Sequence, residues 1–214
     1  MRRQQNQGTF WISYADLMTS LFLLMLVLFA VTTYVLVEKS QKIEAQLQEI
    51  TSIEQSIRSL PKNYFIYDST YKRHQLKVTP HFSNKSATIP LLYVNQMLLI
   101  GRVLQDSISA IRSKYGDRVK FTLLIEGMSS NIPYGTTRCS NAVWEDNYTL
   151  SYRRALSLKN LWDQNNIHFD PNYCDVQIAG SGEGGIGRYE GNDQILNQRF
   201  LIQILPKVGN LSND

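Results

Sequence analysis

Cysteine and histidine are scarce in this 214-residue chain, which contains two of the first and three of the second. A structural zinc site or an iron–sulfur cluster needs about four suitably spaced ligands, so neither kind of metal centre is expected. An excess of one charge is also lacking, because 18 acidic residues offset 22 basic ones and leave a net charge of +4. So small and scattered an excess gives no electrostatic footprint for nucleic acid, and we expect no direct nucleic-acid binding.

Recognisable catalytic motifs are absent as well. The three histidines, His74, His81 and His168, stand outside any serine–histidine–carboxylate or cysteine–histidine pattern. The glycine-rich stretch 180–191 lacks the Lys-Ser/Thr pair and the following helix of a nucleotide-binding loop. We therefore expect no enzymatic activity, no bound cofactor and no metal.

One long apolar run dominates what is present. The 21 residues from Leu17 to Val37 include no charged side chain, and as a helix they would span about 30 Å, the thickness of a bilayer's hydrocarbon core. Apolar residues begin at Phe10, which predicts a transmembrane helix over 10–37 after a short N-terminal segment, 1–9. The run is too long for a signal peptide and ends in no small-residue cleavage site, which favours a retained anchor.

The flanking charges predict the orientation of this anchor. Arg2 and Arg3 precede it, whereas basic and acidic residues are mixed from Glu38 onward. By the positive-inside rule the N-terminus is cytoplasmic. We expect a single-pass protein of the inner (cytoplasmic) membrane whose C-terminal domain is periplasmic.

Asp16 is the one carboxylate inside the predicted membrane segment. An unpaired carboxylate facing lipid costs several kcal/mol, so such a residue is a functional-site hypothesis by default. Ser13 and Ser20 lie three residues before and four after it, on the same helix face. A protonatable acid among hydroxyls suits a proton-driven machine, and the alternative is an interfacial Asp that reaches water.

The string from Phe10 to Thr19, FWISYADLMT, resembles the membrane signature of MotB-type stator subunits, which centres on Tyr-Ala-Asp-Leu/Phe-x-Thr. The resemblance implies that Asp16 carries a proton or a sodium ion, with Ser13, Tyr14, Thr19 and Ser20 supporting the ion path. It also implies two copies of this helix within a ring of five copies of a multi-pass, MotA-like membrane partner.

Residues 38–61 predict a helical stalk, since they contain neither Gly nor Pro until Pro61. Ile43, Ile50 and Ile57 recur every seven residues, a stripe that favours pairing with a second copy and hence a homodimer. The alternative is a lone amphipathic helix that packs on its own domain.

Residues 62–207 are enough for one compact α+β domain, with 208–214 as a C-terminal tail. Apolar periodicity predicts strands at 75–79, 119–125, 176–178 and 199–205, with helices at 91–114 and about 150–165. The expected fold is a single transmembrane helix that extends into a stalk, followed by a β-α-β-α-β-β domain.

Three strings in this domain resemble the OmpA-like peptidoglycan-binding family. NYTLSYRRA at 147–155 fits Asn-x-x-Leu-Ser-x-x-Arg-Ala, GSGE at 180–183 fits the family's Gly-x-Gly-Glu turn, and NQRFLI at 197–202 fits its final Asn-Arg-Arg-Val-Glu strand. The resemblance implies that Arg154 binds a carboxylate of the peptide stem, that Asn147 adds hydrogen bonds and that Leu150 packs on the ligand's aliphatic part. The alternative makes Arg154 an exposed helix arginine in an i,i+4 salt bridge.

One departure from that family concerns the ligand's ammonium group. The family's Gly-His-Thr-Asp string aligns with GMSS at 127–130, so Ser130 replaces the Asp that would pair with the ammonium. Glu145 and Asp146 are candidates to supply the missing charge.

Cys139 and Cys174 both follow the predicted anchor, in an oxidising compartment if the orientation is right. We predict a disulfide between them, and the alternative is two free thiols.

The function predicted from both resemblances is the B subunit of a proton-driven 5:2 rotary stator that is anchored to peptidoglycan. With nine residues before Phe10, the chain resembles the B subunit of Zorya antiphage defence motors more than flagellar stators, whose lead and exported part are usually longer. A flagellar or other motility stator remains an alternative, as does a passive membrane-to-wall tether. An energy transducer of the TolR/ExbD type would lack the 147–155 string.

Overall fold

The computed structural model describes residues 5–83, 85–117, 119–130 and 141–208. The chain forms two compact units, residues 1–49 and residues 50–214.

The first unit consists of the helix α1, Gln5–Arg58, up to residue 49. Side chains 11–45 are all exposed, and α1 contains a stretch long and apolar enough to cross a membrane. Thr32 and Thr33 each donate their hydroxyl to the Phe29 carbonyl, at 2.9 and 2.7 Å. These bonds supply partners for polar groups that lipid does not offer. The predicted long apolar N-terminal helix is confirmed.

The last turns of α1 belong to the second unit and supply part of its core. Ile53 and Ile57 are buried, and the Ser56 hydroxyl lies 3.0 Å from that of Tyr115. Ile57 therefore packs on its own domain, as in the alternative reading of the stalk, while Ile43 and Leu47 stay exposed. The apolar residues of a helix can be buried against the apolar surface of its own domain as effectively as against a second helix. The compact unit thus begins at residue 50 instead of the expected 62.

A five-stranded sheet forms the centre of this unit. In chain order its strands are β1 (Phe65–Asp68), β2 (Arg73–Leu76), β3 (Val119–Gly127), β4 (Cys174–Gly180) and β5 (Phe200–Val208). Their order across the sheet is β1-β2-β5-β3-β4, with β3 and β4 parallel and all other neighbours antiparallel.

Two long helices complete the domain, α2 (Leu91–Tyr115) and α3 (Asn141–Gln164), and a 3-10 helix, Gly191–Asn197, precedes β5. The predicted β-α-β-α-β-β order is confirmed for β2 to β5. β1 is an addition that pairs with β2 as a hairpin, and α3 begins nine residues before the expected Leu150.

The buried face of α2 is the one predicted from its periodicity. Its apolar members are all buried: Met97, Ile100, Leu104, Ile108 and Ile111. Trp162 of α3 packs against this face and donates its indole N–H to the Met97 carbonyl at 2.8 Å. A buried Trp needs such a partner, so this bond fixes α3 against α2.

Glycines at the carboxyl ends of β3 and β4 let α3 approach the sheet closely. A Cβ on Gly127 would lie 2.1 Å from the Ser151 carbonyl oxygen, and one on Gly180 would lie 2.4 Å from the Tyr152 nitrogen. No larger residue fits either position without moving α3. The 147–155 string therefore lies directly on these strand ends.

His74 on β2 makes the stability of the domain depend on pH. It is buried, contacts the Tyr67 ring in a tilted arrangement with centroids 4.9 Å apart, and is hydrogen-bonded to the Ile57 backbone. Burial disfavours the imidazolium and lowers the pKa of His74 to about 4 from 6.5. The unfolded chain therefore binds a proton at His74 more readily than the folded chain does. The contribution of neutral His74 to the free energy of unfolding is complete above pH 6.5 and is lost as the pH falls towards 4.

We expect acidification from pH 7 to pH 4.5 to destabilise the wild type more than His74→Gln, by up to about 3 kcal/mol. Urea unfolding of the full chain in detergent at both pH values, followed by intrinsic fluorescence, measures this difference. His168→Gln is the matched control, because the side chain of His168 is 60% exposed. An unchanged pH dependence in His74→Gln would contradict the assignment.

Candidate functional site

Arg154 lies at the centre of the candidate site, near the carboxyl ends of β3 and β4. Its residue is only 2% exposed, its Nε donates to the Ser86 carbonyl at 3.1 Å, and its Nη1 donates to the Met128 carbonyl at 3.4 Å. The guanidinium carbon lies 4.3 Å from the centre of the Phe82 ring. The alternative reading, an exposed arginine in an i,i+4 salt bridge, is therefore wrong.

Burial lowers the pKa of Arg154 to about 10 from 12.5. The guanidinium is still cationic at neutral pH, in surroundings where water screens it little. A buried cation held by two neutral carbonyls and an aromatic face is well suited to bind an anionic group such as a carboxylate.

Asn147 and Leu150 lie on the same face of α3 as Arg154, three and four residues apart in succession. Asn147 is buried, and its Nδ2 has no hydrogen-bond partner among the residues that the structure describes. The buried Ser129 hydroxyl is in the same condition. Leu150 is half-buried. Buried polar atoms without a partner, one of them on the helix face of a buried cation, indicate a place where a polar ligand group would be accepted.

Ser130, where the related family has Asp, makes a neutral contact. Its hydroxyl accepts a hydrogen bond from Gln198 Nε2 at 3.0 Å, and Gln198 Oε1 accepts one from the Phe82 amide at 3.1 Å. The structure thus joins Ser130, Gln198, Phe82 and Arg154. Sequence reasoning missed Phe82 and Gln198, although Gln198 departs from the family string where that string has its first Arg. The side chains of Glu145 and Asp146 lie outside the described residues, so their predicted charge compensation stays a prediction.

Three arginines, of which Arg73 and Arg199 are buried and Arg188 is half-buried, donate hydrogen bonds to the glycine-rich stretch 180–191. Arg73, Arg188 and Arg199 donate to the carbonyls of Ile186, Gly182 and Gly187 at 2.7, 2.9 and 2.6 Å. Arg188 also donates to the Ser129 carbonyl at 2.5 Å. Burial lowers the pKa of Arg188 and of Arg199. These hydrogen bonds hold the stretch in a fixed position next to the site.

Asp16 lies on α1 with Ser13 and Ser20 on its face, as the helical spacing predicts. Ser20 donates its hydroxyl to the Leu17 carbonyl at 3.0 Å, and Thr19 donates its own to the Ala15 carbonyl. Tyr14 makes an edge contact with the Trp11 ring, with centroids 6.3 Å apart. In a single chain, Thr19 and Ser20 thus donate to the backbone and not to the carboxylate.

Cys174 lies buried at the start of β4, and burial raises the pKa of its thiol to about 12. It lines a cavity of about 540 Å³ together with Lys159 and Trp162 of α3. Cys139 lies outside the described residues, so the disulfide stays a prediction.

A family model described as the membrane MotB of the proton-channel complex MotA/MotB matches residues 2–50. The match covers Asp16 and the whole apolar stretch. No curated protein matches the chain.

Several solved structures overlap with the second unit. The periplasmic domain of Helicobacter pylori MotB is 18% identical with a TM-score of 0.44, and the overlap covers 69% of this chain and 92% of that one. The OmpA-like domain of FopA1 from Francisella tularensis is 15% identical with a TM-score of 0.40, covering 70% and 82%.

Proposed function

We propose that this chain is the B subunit of an ion-driven rotary stator, in which Asp16 carries the ion and the sheet domain holds the cell wall. The observation that carries the proposal is the match of residues 2–50 to the MotB membrane family. The match includes the segment in which Asp16 is the one carboxylate of an otherwise apolar helix. Because a charged side chain is costly inside a bilayer, such a residue indicates a function.

The proposed mechanism is a charge change inside a dry helix bundle. Protonation neutralises Asp16 and removes the cost of burying its charge, and release of the proton restores that cost. Each cycle therefore changes the preferred position of the helix against a surrounding ring of five multi-pass partner subunits. Asp16 would take up the proton from one side of the membrane and release it to the other.

Two copies of this chain would form the fixed axle of the motor. The exposed pair Ile43 and Leu47, four residues apart on one face of α1, supports pairing above the membrane segment. In the domain, Arg154 would bind a carboxylate of the peptidoglycan stem, with Asn147 and Leu150 around it. Holding the wall keeps the dimer still while the ring turns.

We further propose that the motor is of the Zorya antiphage type. The support is the short connection between the apolar stretch, which ends at Val37, and the compact unit, which begins at residue 50. Loss of phage protection on deletion, with swimming unaffected, is the expected phenotype. Loss of swimming with protection intact would assign the chain to a motility stator.

Co-expression of the full chain with a multi-pass, MotA-like protein from the same genome tests the assembly. We expect one complex with two copies of this chain and five of the partner, measured by native mass spectrometry. Ile43→Asp combined with Leu47→Asp should reduce the yield of this complex, because charges on the pairing face repel each other. Recovery of the wild-type chain alone, as a monomer, would contradict the proposal.

A further inference from the structure

We propose that Gln198 is a positioning residue which holds Phe82 over Arg154 and so limits the access of a ligand to the wall-binding site. The inference rests on the proposed function and concerns how that site is regulated. Its basis is the chain of contacts from Gln198 through Phe82 to the guanidinium.

Other groups of the domain cover the Arg154 guanidinium. A residue that is 2% exposed offers almost no surface to a polymer as large as peptidoglycan. The Phe82 ring covers one face of the guanidinium at 4.3 Å, and the Ser86 carbonyl occupies Nε. A ligand carboxylate can form a two-bond contact only after at least one of these groups has moved.

Gln198 connects Phe82, which covers the guanidinium, to Ser130. Its Oε1 accepts the Phe82 amide at 3.1 Å, while its Nε2 donates to Ser130 at 3.0 Å. One amide side chain therefore connects the cover to Ser130, three residues after the end of β3. Ser130 stands where the OmpA-like family has Asp, and Gln198 stands where its last strand has the first Arg. In this chain the two residues make one neutral contact with each other.

The tie is weak enough for its loss to be measurable. Losing one neutral hydrogen bond of the kind that Gln198 makes changes an equilibrium constant roughly threefold to tenfold. A ligand that binds the open state alone has an apparent affinity reduced by the fraction of molecules that are open. Weakening the tie should therefore strengthen wall binding, which is the opposite of what the loss of a ligand contact does.

Gln198→Ala tests this in the full chain, with Gln177→Ala as the matched control because Gln177 is an exposed glutamine on β4. We expect Gln198→Ala to increase retention on isolated peptidoglycan roughly threefold to tenfold. Modification of Arg154 by phenylglyoxal, measured by mass spectrometry without any ligand, should accelerate by a similar factor. Both quantities should be unchanged in Gln177→Ala.

Unchanged or reduced retention in Gln198→Ala, while Arg154→Ala abolishes binding, would overturn the positioning role and leave the wall-binding function intact. An unchanged phenylglyoxal rate would overturn it as well. If the phenylglyoxal rate rises but no variant is retained on peptidoglycan, the cover is supported and wall binding fails.

Discussion

Asp16→Asn is expected to abolish ion flux through the assembled complex, reducing it to the level of vesicles without the protein. Asparagine nearly matches the shape of aspartate but cannot bind and release a proton in this pH range. Because a neutral amide is less costly in the bilayer than a carboxylate, insertion and assembly with the partner should be retained. Flux is measured in vesicles that contain the complex, with a pH-sensitive dye and an imposed proton gradient.

Glu38→Gln is the matched control, since it removes another carboxylate from the same helix. Glu38 is exposed and pairs with Lys42 at 2.8 Å, and solvent screens such a surface pair so that it contributes little. This variant should conduct like the wild type. If Asp16→Asn conducted normally, the motor proposal would be lost. If neither wild type nor variant conducted, while both retained wall attachment, the passive tether would be the better reading.

The elements predicted best from sequence are those whose apolar pattern has a single interpretation. The buried face of α2 and the apolar core of β3 were both read from their periodicity. β1 was missed because its four residues, Phe65–Asp68, are too few to display alternation, and they are recognisable only through their pairing with β2.

The stalk shows a different limit of sequence reasoning. A seven-residue spacing places Ile43 and Ile57 on nearly the same helix face but does not say which surface covers it. In the structure Ile57 joins the domain core, and Ile43 is 64% exposed. The periodicity was read correctly, but the partner depends on the position of the domain, which no local pattern encodes.

The candidate site was also predicted only in part. The motif at 147–155 located Arg154, because a family pattern places chemistry at fixed positions. The groups that surround it come from far along the chain, with Ser86 at 68 positions and Met128 at 26 positions from Arg154. Contacts over such separations arise from the sheet order, so the burial of Arg154 and the tie through Gln198 were not visible in the sequence.

The contribution of Arg154 to wall binding is the second large effect. Arg154→Ala should weaken retention on isolated peptidoglycan roughly 10- to 100-fold, because hydrogen bonds to a charged group contribute about 1.5–3 kcal/mol. Asn147→Ala should weaken it less, since it removes a neutral partner. Retention is measured by co-sedimentation of the full chain in detergent across a range of peptidoglycan concentrations.

Arg153→Ala separates this contact from a general loss of positive charge, because Arg153 is the exposed neighbour on α3 and its charge is screened by salt. It should change retention less than about twofold. Since Arg154 also donates to the Ser86 and Met128 carbonyls, its loss should lower stability by about 1–3 kcal/mol, so each variant is compared at a temperature where urea unfolding shows it to be folded. Equal retention of wild type and Arg154→Ala under those conditions would mean that, with Ser130 and Gln198 in place of a charged pair, the wall is not held at this site.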